Sequence, residues 1–427
     1  MSATRIAEIR GRRLWDSRGR PTVEAEVRLA SGAIGRALAP AGASTGSGEV
    51  VDLRDGGAAF GGRDVGRAVA AVGGEIAARL RGCDAADQAA IDAALVALDG
   101  TENRSRLGGN ALIATSLAVA QAAAAARGLP LWRALAGERL AHLPLPEIQI
   151  FGGGAHAGRR VDVQDFMVIA TGAADYTEAL EWSAEVYRAA GMLMAEAGLL
   201  QGVADEGGFW PAFATNEAAL DMLMRAIERA GRRPGEEVAI SLDIAASEFG
   251  RGGRYRLGLE GRELDSDGMA EMLLQWLRRR PIVAIEDPLA EDDMPGLARF
   301  TAAAGKVAVV GDDVLVTNAA RIRAAAAIGA GNTALIKPNQ AGTLTETKAA
   351  YDAARAAGWS AIVSARSGET EDVAIVHLAV GWGAPLLKVG AFARSERMAK
   401  WNEGLRIAEA LGGRGALAPA TAFPWRR

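Results

Sequence analysis

The sequence predicts an α/β protein, with a C-terminal eight-stranded α/β barrel over residues 144–427 behind an N-terminal α+β domain over residues 1–135. Three observations carry this. After Pro144, short apolar runs alternate with longer amphipathic helical stretches, the rhythm of a parallel sheet with buried strands. Eight such runs follow one another, which favours a closed barrel over an open sheet. Charged residues terminate most of them, as they do where a barrel presents its C-terminal mouth.

In chain order, residues 6–15, 22–29 and 33–39 read as an antiparallel meander. Thr22 to Leu29 alternates polar and apolar, the period of a half-buried strand. Ala41 to Ser47 is a Gly/Ser/Thr loop of the mobile, backbone-exposing kind. Ala- and Leu-rich helical patterns cover 62–80, 84–98 and 108–127, which completes a compact α+β unit. The eight runs then fall at about 146–150, 165–170, 238–245, 282–286, 307–311, 333–337, 359–364 and 385–389. The seventh leads into Ser364-Ala-Arg-Ser-Gly-Glu-Thr-Glu-Asp372 and a helical stretch from Val373. A guanidinium and a hydroxyl beside a helix N-terminus suit an anion.

Composition narrows the function. A length of 427 residues requires two or three cores. A formal net charge of −4 argues against a nucleic-acid partner. The single cysteine, Cys83, excludes a disulfide framework and a thiolate cluster, and three scattered histidines disfavour an all-His zinc site. A metal would be held by carboxylates. Arg5, Glu8 and Arg10 interrupt any secretory pattern, and Ala111 to Ala126 reads as a buried helix rather than a membrane span. The cytoplasm is the expected location, with no membrane partner.

The strand-end residues suggest chemistry. Asp243, Glu286 and Asp312 end three runs, and packed together they would repel without a cation; oxygen ligands of this kind suit Mg²⁺. Lys337 and Lys388 end two others. A neighbouring positive charge lowers a lysine pKa, as a general base near neutral pH requires. Metal on a substrate carboxylate would stabilise the charge left by a departing α-proton. Arg366 and Ser367 would hold a second anionic group. Glu206, on the turn Asp205-Glu-Gly-Gly-Phe209, offers a carboxylic acid from the opposite side.

Taken together, these segments resemble the enolase family over essentially the whole chain. The matching motifs are Asp16-Ser-Arg-Gly-Arg-Pro-Thr-Val-Glu24, Gly42-Ala-Ser-Thr-Gly46, Asp205 to Phe209, Ser241 to Phe249, Ile285-Glu-Asp-Pro288 and Gly311-Asp-Asp313. Asn339-Gln340 with Gly342 to Glu346, Arg366 to Asp372 and Ala393 to Arg397 complete them. The resemblance implies a TIM-like, enolase-type barrel whose second strand runs antiparallel, capped by the N-terminal domain. It implies two Mg²⁺ per active site and a small anionic phosphorylated three-carbon acid, 2-phosphoglycerate, dehydrated to phosphoenolpyruvate. A Lys base working with Mg²⁺ is a general pattern of that superfamily. Carried onto this chain, the first metal goes to Asp243, Glu286 and Asp312, and Ser44 closes onto the second. Lys337 is the base with Lys388 assisting, Glu206 is the acid, and Arg366 and Ser367 take the phosphate. His156 and Asp165 fall at active-site positions, and Gln164 at a substrate-binding one. A homodimer or larger homo-oligomer is implied too.

Several positions depart from the family pattern. Ala365 stands where enolases carry histidine, which removes a polar donor and would enlarge the pocket. Asp165 replaces a glutamate, drawing its carboxylate back by about 1.5 Å, and a misplacement of that size can cost about a hundredfold in rate. Phe151 replaces an asparagine, Pro338 follows the base, and Phe392 replaces a proline. The leading expectation is therefore a specialised paralogue keeping enolate chemistry, similar to carboxyphosphonoenolpyruvate synthase of phosphinothricin-type phosphonate biosynthesis. It would take an activated phosphonate as second substrate. The alternatives are a genuine enolase and a non-catalytic enolase-fold binding protein.

Overall fold

The computed structural model describes residues 3–426. Strands β1 (Ile6–Trp15), β2 (Pro21–Leu29) and β3 (Ile34–Leu38) form the expected antiparallel meander. β2 is buried on both faces rather than one. Its polar face is covered by neighbouring arginines: Arg12 reaches Glu24 at 2.6 Å and Glu26 at 3.1 Å, and Arg36 reaches Glu26 at 2.6 Å. The opposite side meets the helix Gly109–Ala126, long and apolar enough to cross a membrane but 78% buried inside the protein. Gly35 makes that packing possible, because a Cβ there would lie 2.1 Å from the carbonyl of Ala118. The stretch expected at 62–80 is helical over 66–80 with a π-turn at Val72–Ile76, and that expected at 84–98 begins at Gln88, capped by Asp87.

The eight barrel strands are β4 (Leu145–Gly152), β5 (Asp165–Ile169), β6 (Ala239–Asp243), β10 (Ile282–Glu286), β11 (Ala308–Gly311), β12 (Thr333–Ile336), β13 (Ser360–Ser364) and β14 (Leu386–Gly390). They close in that order, with β14 pairing back onto β4. All neighbours are parallel except β5, which runs antiparallel to both β4 and β6. Nearly every strand residue is buried, because helices cover the outer face and side chains fill the interior; hence the continuous apolar runs. Between β6 and β10, three short strands, β7 (Gly250–Arg251), β8 (Arg254–Leu257) and β9 (Arg262–Asp265), make a small separate sheet absent from the sequence reading. At two to four residues each they carry too little periodicity to be seen.

The inversion of β5 matters for the site. Its first residue, Asp165, pairs with Gly152 at the end of β4 and Asp243 at the end of β6. A strand running the other way thus delivers its N-terminal carboxylate to the mouth where its neighbours deliver their C-terminal ones. Pro338 is the first residue of a short helix, Pro338–Ala341, where its missing N–H costs nothing.

Candidate active site

Ten of the twelve residues singled out by sequence line one cavity at the barrel mouth: Ser44, His156, Gln164, Asp165, Glu206, Asp243, Lys337, Arg366, Ser367 and Lys388. Glu286 and Asp312 lie behind it and are tied in by the lysines. Lys388 Nζ donates to Asp243 at 2.9 Å and Glu286 at 2.8 Å, and lies 3.4 Å from Asp165. Lys337 Nζ donates to Asp312 at 2.5 Å. Burial works to lower both lysines, but the facing carboxylates prevail and leave Lys337 above its ordinary value and Lys388 well above it. This reverses the expected lowering, since the positive neighbours count for less than the facing carboxylates.

The acids divide accordingly. Burial, then Asp243, pushes Glu286 well above the usual carboxylate range. Burial also works to raise Asp312, but Lys337 holds it below. Among the described residues, Asp287, Asp312 and Asp313 bring ligand oxygens within 4.8 Å of one another, a tighter group than the expected trio. Asp287 is nevertheless committed: its carboxyl oxygens accept the backbone N–H of Asp312 at 2.9 Å and of Asp313 at 2.8 Å, and burial raises it to about 8. Asp243, Glu286 and Asp312 remain the better-fitting set, because Glu286 Oε1 is buried with no hydrogen-bond partner and every donor is oxygen.

The anion loop follows β13, and here one expectation fails. The next helix starts at Ala374, and Asp372 already accepts the Ala374 N–H at 2.7 Å, so the helix N-terminus is spent away from Arg366. Arg366 Nη1 donates to Glu49 at 2.9 Å and Asn339 at 3.0 Å, and Nη2 donates to the Ser44 carbonyl at 3.0 Å and Glu49 at 3.2 Å. Four of its five N–H groups are thus used within the chain, leaving Nε. Ser367 Oγ accepts from Arg18 at 3.3 Å, which leaves its own O–H free to donate. Buried Arg397 holds the carbonyls of Arg366 and Ser367. Gln164 Nε2 donates to Asp243 at 2.9 Å, while its Oε1 is buried without a partner.

Opposite the lysines, His156 Nδ1 lies 3.2 Å from Asp165 and Nε2 lies 3.9 Å from Glu206. Burial opposes its protonation, but Glu206 and Asp165 raise it to about 8. Burial likewise works to raise Asp165, yet His156 and Lys388 hold it well below the usual range. Ala365 lines the mouth, where the free space is about 20 Å³, room for about one water. Phe151 packs edge-on against Phe213, 5.0 Å between centroids, away from the cavity lining. Sequence reading missed Gln149, Arg18, Glu49, Asp287 and Asn339. Of these, Arg18, Asp287 and Asn339 lay within the quoted motifs, a signal that could have found them.

Two family models match the chain. One, described as the Enolase N-terminal domain, covers residues 6–135, and the other, the Enolase C-terminal TIM barrel domain, covers residues 140–423. A protein named Enolase from Rubrobacter xylanophilus is 50% identical over 411 residues, 96% of each chain. The chain belongs to the enolase family. It is an enolase-superfamily enzyme of the phosphopyruvate hydratase type, and its barrel is the family's TIM barrel. Enolases work with Mg²⁺, and the acidic groups at this mouth could hold such an ion.

Proposed function

We propose that the protein is a working enolase, removing water from 2-phosphoglycerate to give phosphoenolpyruvate with Mg²⁺. The observation that carries this is the 50% identity to a protein named Enolase across 96% of both chains. The specialised-paralogue reading rested on the departures at Ala365, Asp165, Phe151, Pro338 and Phe392, and the similarity to a protein named Enolase favours the enolase reading over it. A complete set of acids, lysines and anion-holding groups weighs against a purely structural protein.

In this reading Asp243, Glu286 and Asp312 hold one Mg²⁺ and Ser44 contributes to a second. Bound there, the metal supplies charge neutralisation for the substrate carboxylate, easing loss of the adjacent proton. Lys337 is held protonated by Asp312; with Mg²⁺ on that carboxylate its proton would be lost more easily, and the neutral Nζ would take the α-proton, with Lys388 assisting through the carboxylates it bridges. Glu206 gives a proton to the departing hydroxyl, which leaves as water. His156 and Asp165 flank that acid. Arg366 through Nε and Ser367 through its O–H hold the phosphate, and Gln164 lines the same wall. Residues 1–135 cap and residues 144–427 catalyse. The cytoplasm and a homo-oligomer fit the same reading.

The test is incubation with 2-phosphoglycerate and Mg²⁺ while following phosphoenolpyruvate by absorbance. Robust turnover supports the proposal and removes the specialised alternative. No turnover from protein that binds Mg²⁺ by calorimetry overturns it.

A further inference from the structure

We propose that Gln149, on the inner face of β4, is a positioning residue that fixes Asp165 and Glu206 relative to each other, its length matched to the short aspartate. This rests on the reading of the mouth as an enolase site. The Gln149 amide is fully buried. Its Nε2 donates to Asp165 Oδ1 and lies 3.5 Å from Glu206 Oε2, while its Oε1 accepts the backbone N–H of Gly208 at 2.8 Å. One side chain therefore touches the acid on β5, the acid on the 204–208 turn, and the backbone of that turn.

The orientation of the amide is dictated. Turned over, it would set its oxygen against the Asp165 carboxylate and its NH₂ against an N–H donor. A carboxylate at 149 would put a third negative charge beside the first two. Two glycines make room for the group. A Cβ on Gly208 would lie 2.4 Å from Gln149 Oε1, and one on Gly152 would lie 3.2 Å from both amide heteroatoms. Neither glycine has a positive φ, so space rather than backbone freedom accounts for them. The β4–β5 ladder also shifts register between Gln149 and Phe151, a bulge of the kind that re-aims a side chain.

The length argument follows. Asp165 is one methylene shorter than the glutamate of the family pattern, so its carboxylate stays close to β5. Gln149, on the paired strand, reaches across the gap to meet it, and His156 meets it from the other side at 3.2 Å. What one strand loses in reach the other supplies.

Three variants test this in the full-length protein. Gln149→Asn should lower kcat on the order of a hundredfold with little change in KM for 2-phosphoglycerate, because Arg366 and Ser367 are untouched. Gln149→Asn combined with Asp165→Glu should recover to within about tenfold of wild type, since the summed reach is restored. In Gln149→Asn, the NMR titration midpoint of His156 should fall from about 8 toward 6.5 as Asp165 leaves its ring. Gln149→Glu should move the pH–rate profile to higher pH by adding a carboxylate to the pair. Wild-type kinetics in Gln149→Asn, or a double variant no better than Gln149→Asn, overturns the proposal. If wild type itself does not dehydrate 2-phosphoglycerate, the enolase reading fails, and the His156 midpoint alone decides whether Gln149 holds Asp165. Unchanged Mg²⁺ calorimetry and Tm exclude misfolding as the cause.

Discussion

Lys337 and His156 are both raised by buried carboxylates, and the two shifts serve different ends. Asp312 holds the proton on Lys337 here, and in the proposed mechanism that hold would weaken with Mg²⁺ on Asp312, freeing Nζ to act as base; removing the side chain takes that base away and leaves the acids in place. Lys337→Ala should abolish turnover while Mg²⁺ affinity by calorimetry stays within a few-fold; retained turnover would mean that the base lies elsewhere. His156, raised to about 8 by Glu206 and Asp165, stabilises the fold while protonated. Its folded pKa exceeds the unfolded 6.5, so the contribution, about 2 kcal/mol, is complete below pH 6.5 and lost as pH rises through 8. Denaturant unfolding of wild type and His156→Ala between pH 6 and 9 checks this: the variant should lose that slope. Residues of this kind were legible because charges ending apolar runs stand out. Gln149 and Glu49 were not, since each is an ordinary polar residue whose meaning lies in a distant partner. Ala365 was legible, but one altered side chain weighs less than 50% identity to a protein named Enolase over 96% of the chain.

Among the elements, all eight barrel strands were visible as buried apolar runs, while the 250–265 sheet was hidden by its brevity. The inversion of β5 came from family resemblance alone, because a strand of five buried residues carries no mark of its direction. The joint between β10 and β11 has its own device. Asp287 sits at a left-handed φ of 40° directly after Glu286 and accepts both N–H groups that follow β11. Asp287→Ala would leave those two buried donors unpaired, each costing about 1–3 kcal/mol. It should lower the unfolding free energy accordingly and weaken Mg²⁺ binding through a loosened Asp312. An unchanged unfolding midpoint would count against this role.

At the scale of the molecule, the N-terminal part and the barrel meet at the anion loop. Ala41 and Gly368 exchange backbone hydrogen bonds at 3.0 and 2.9 Å, the Ser17 N–H reaches the Glu369 carbonyl at 2.7 Å, and Glu49 forks onto Arg366. Arg366→Ala would take the ion-pair partner from the half-buried Glu49 carboxylate, which keeps the Gly46 N–H at 3.0 Å and Gln340 at 3.3 Å, so the cost falls below the about 3–5 kcal/mol of a fully buried pair. The variant should therefore unfold at lower denaturant as well as raise KM; a loss of binding alone would show that the pair does not join the two parts.

The nearly filled mouth sets a clock as well as a shape. Ser44 lines the mouth, so in the enolase reading the 41–49 segment that carries it would swing aside to admit a phosphorylated three-carbon acid and return over it in each turnover. Chain motion through solvent is slowed by viscosity, whereas proton transfer inside a closed site is not. In glycerol or sucrose, kcat should fall with relative viscosity if that swing paces the cycle. A flat response would assign the pace to the chemistry.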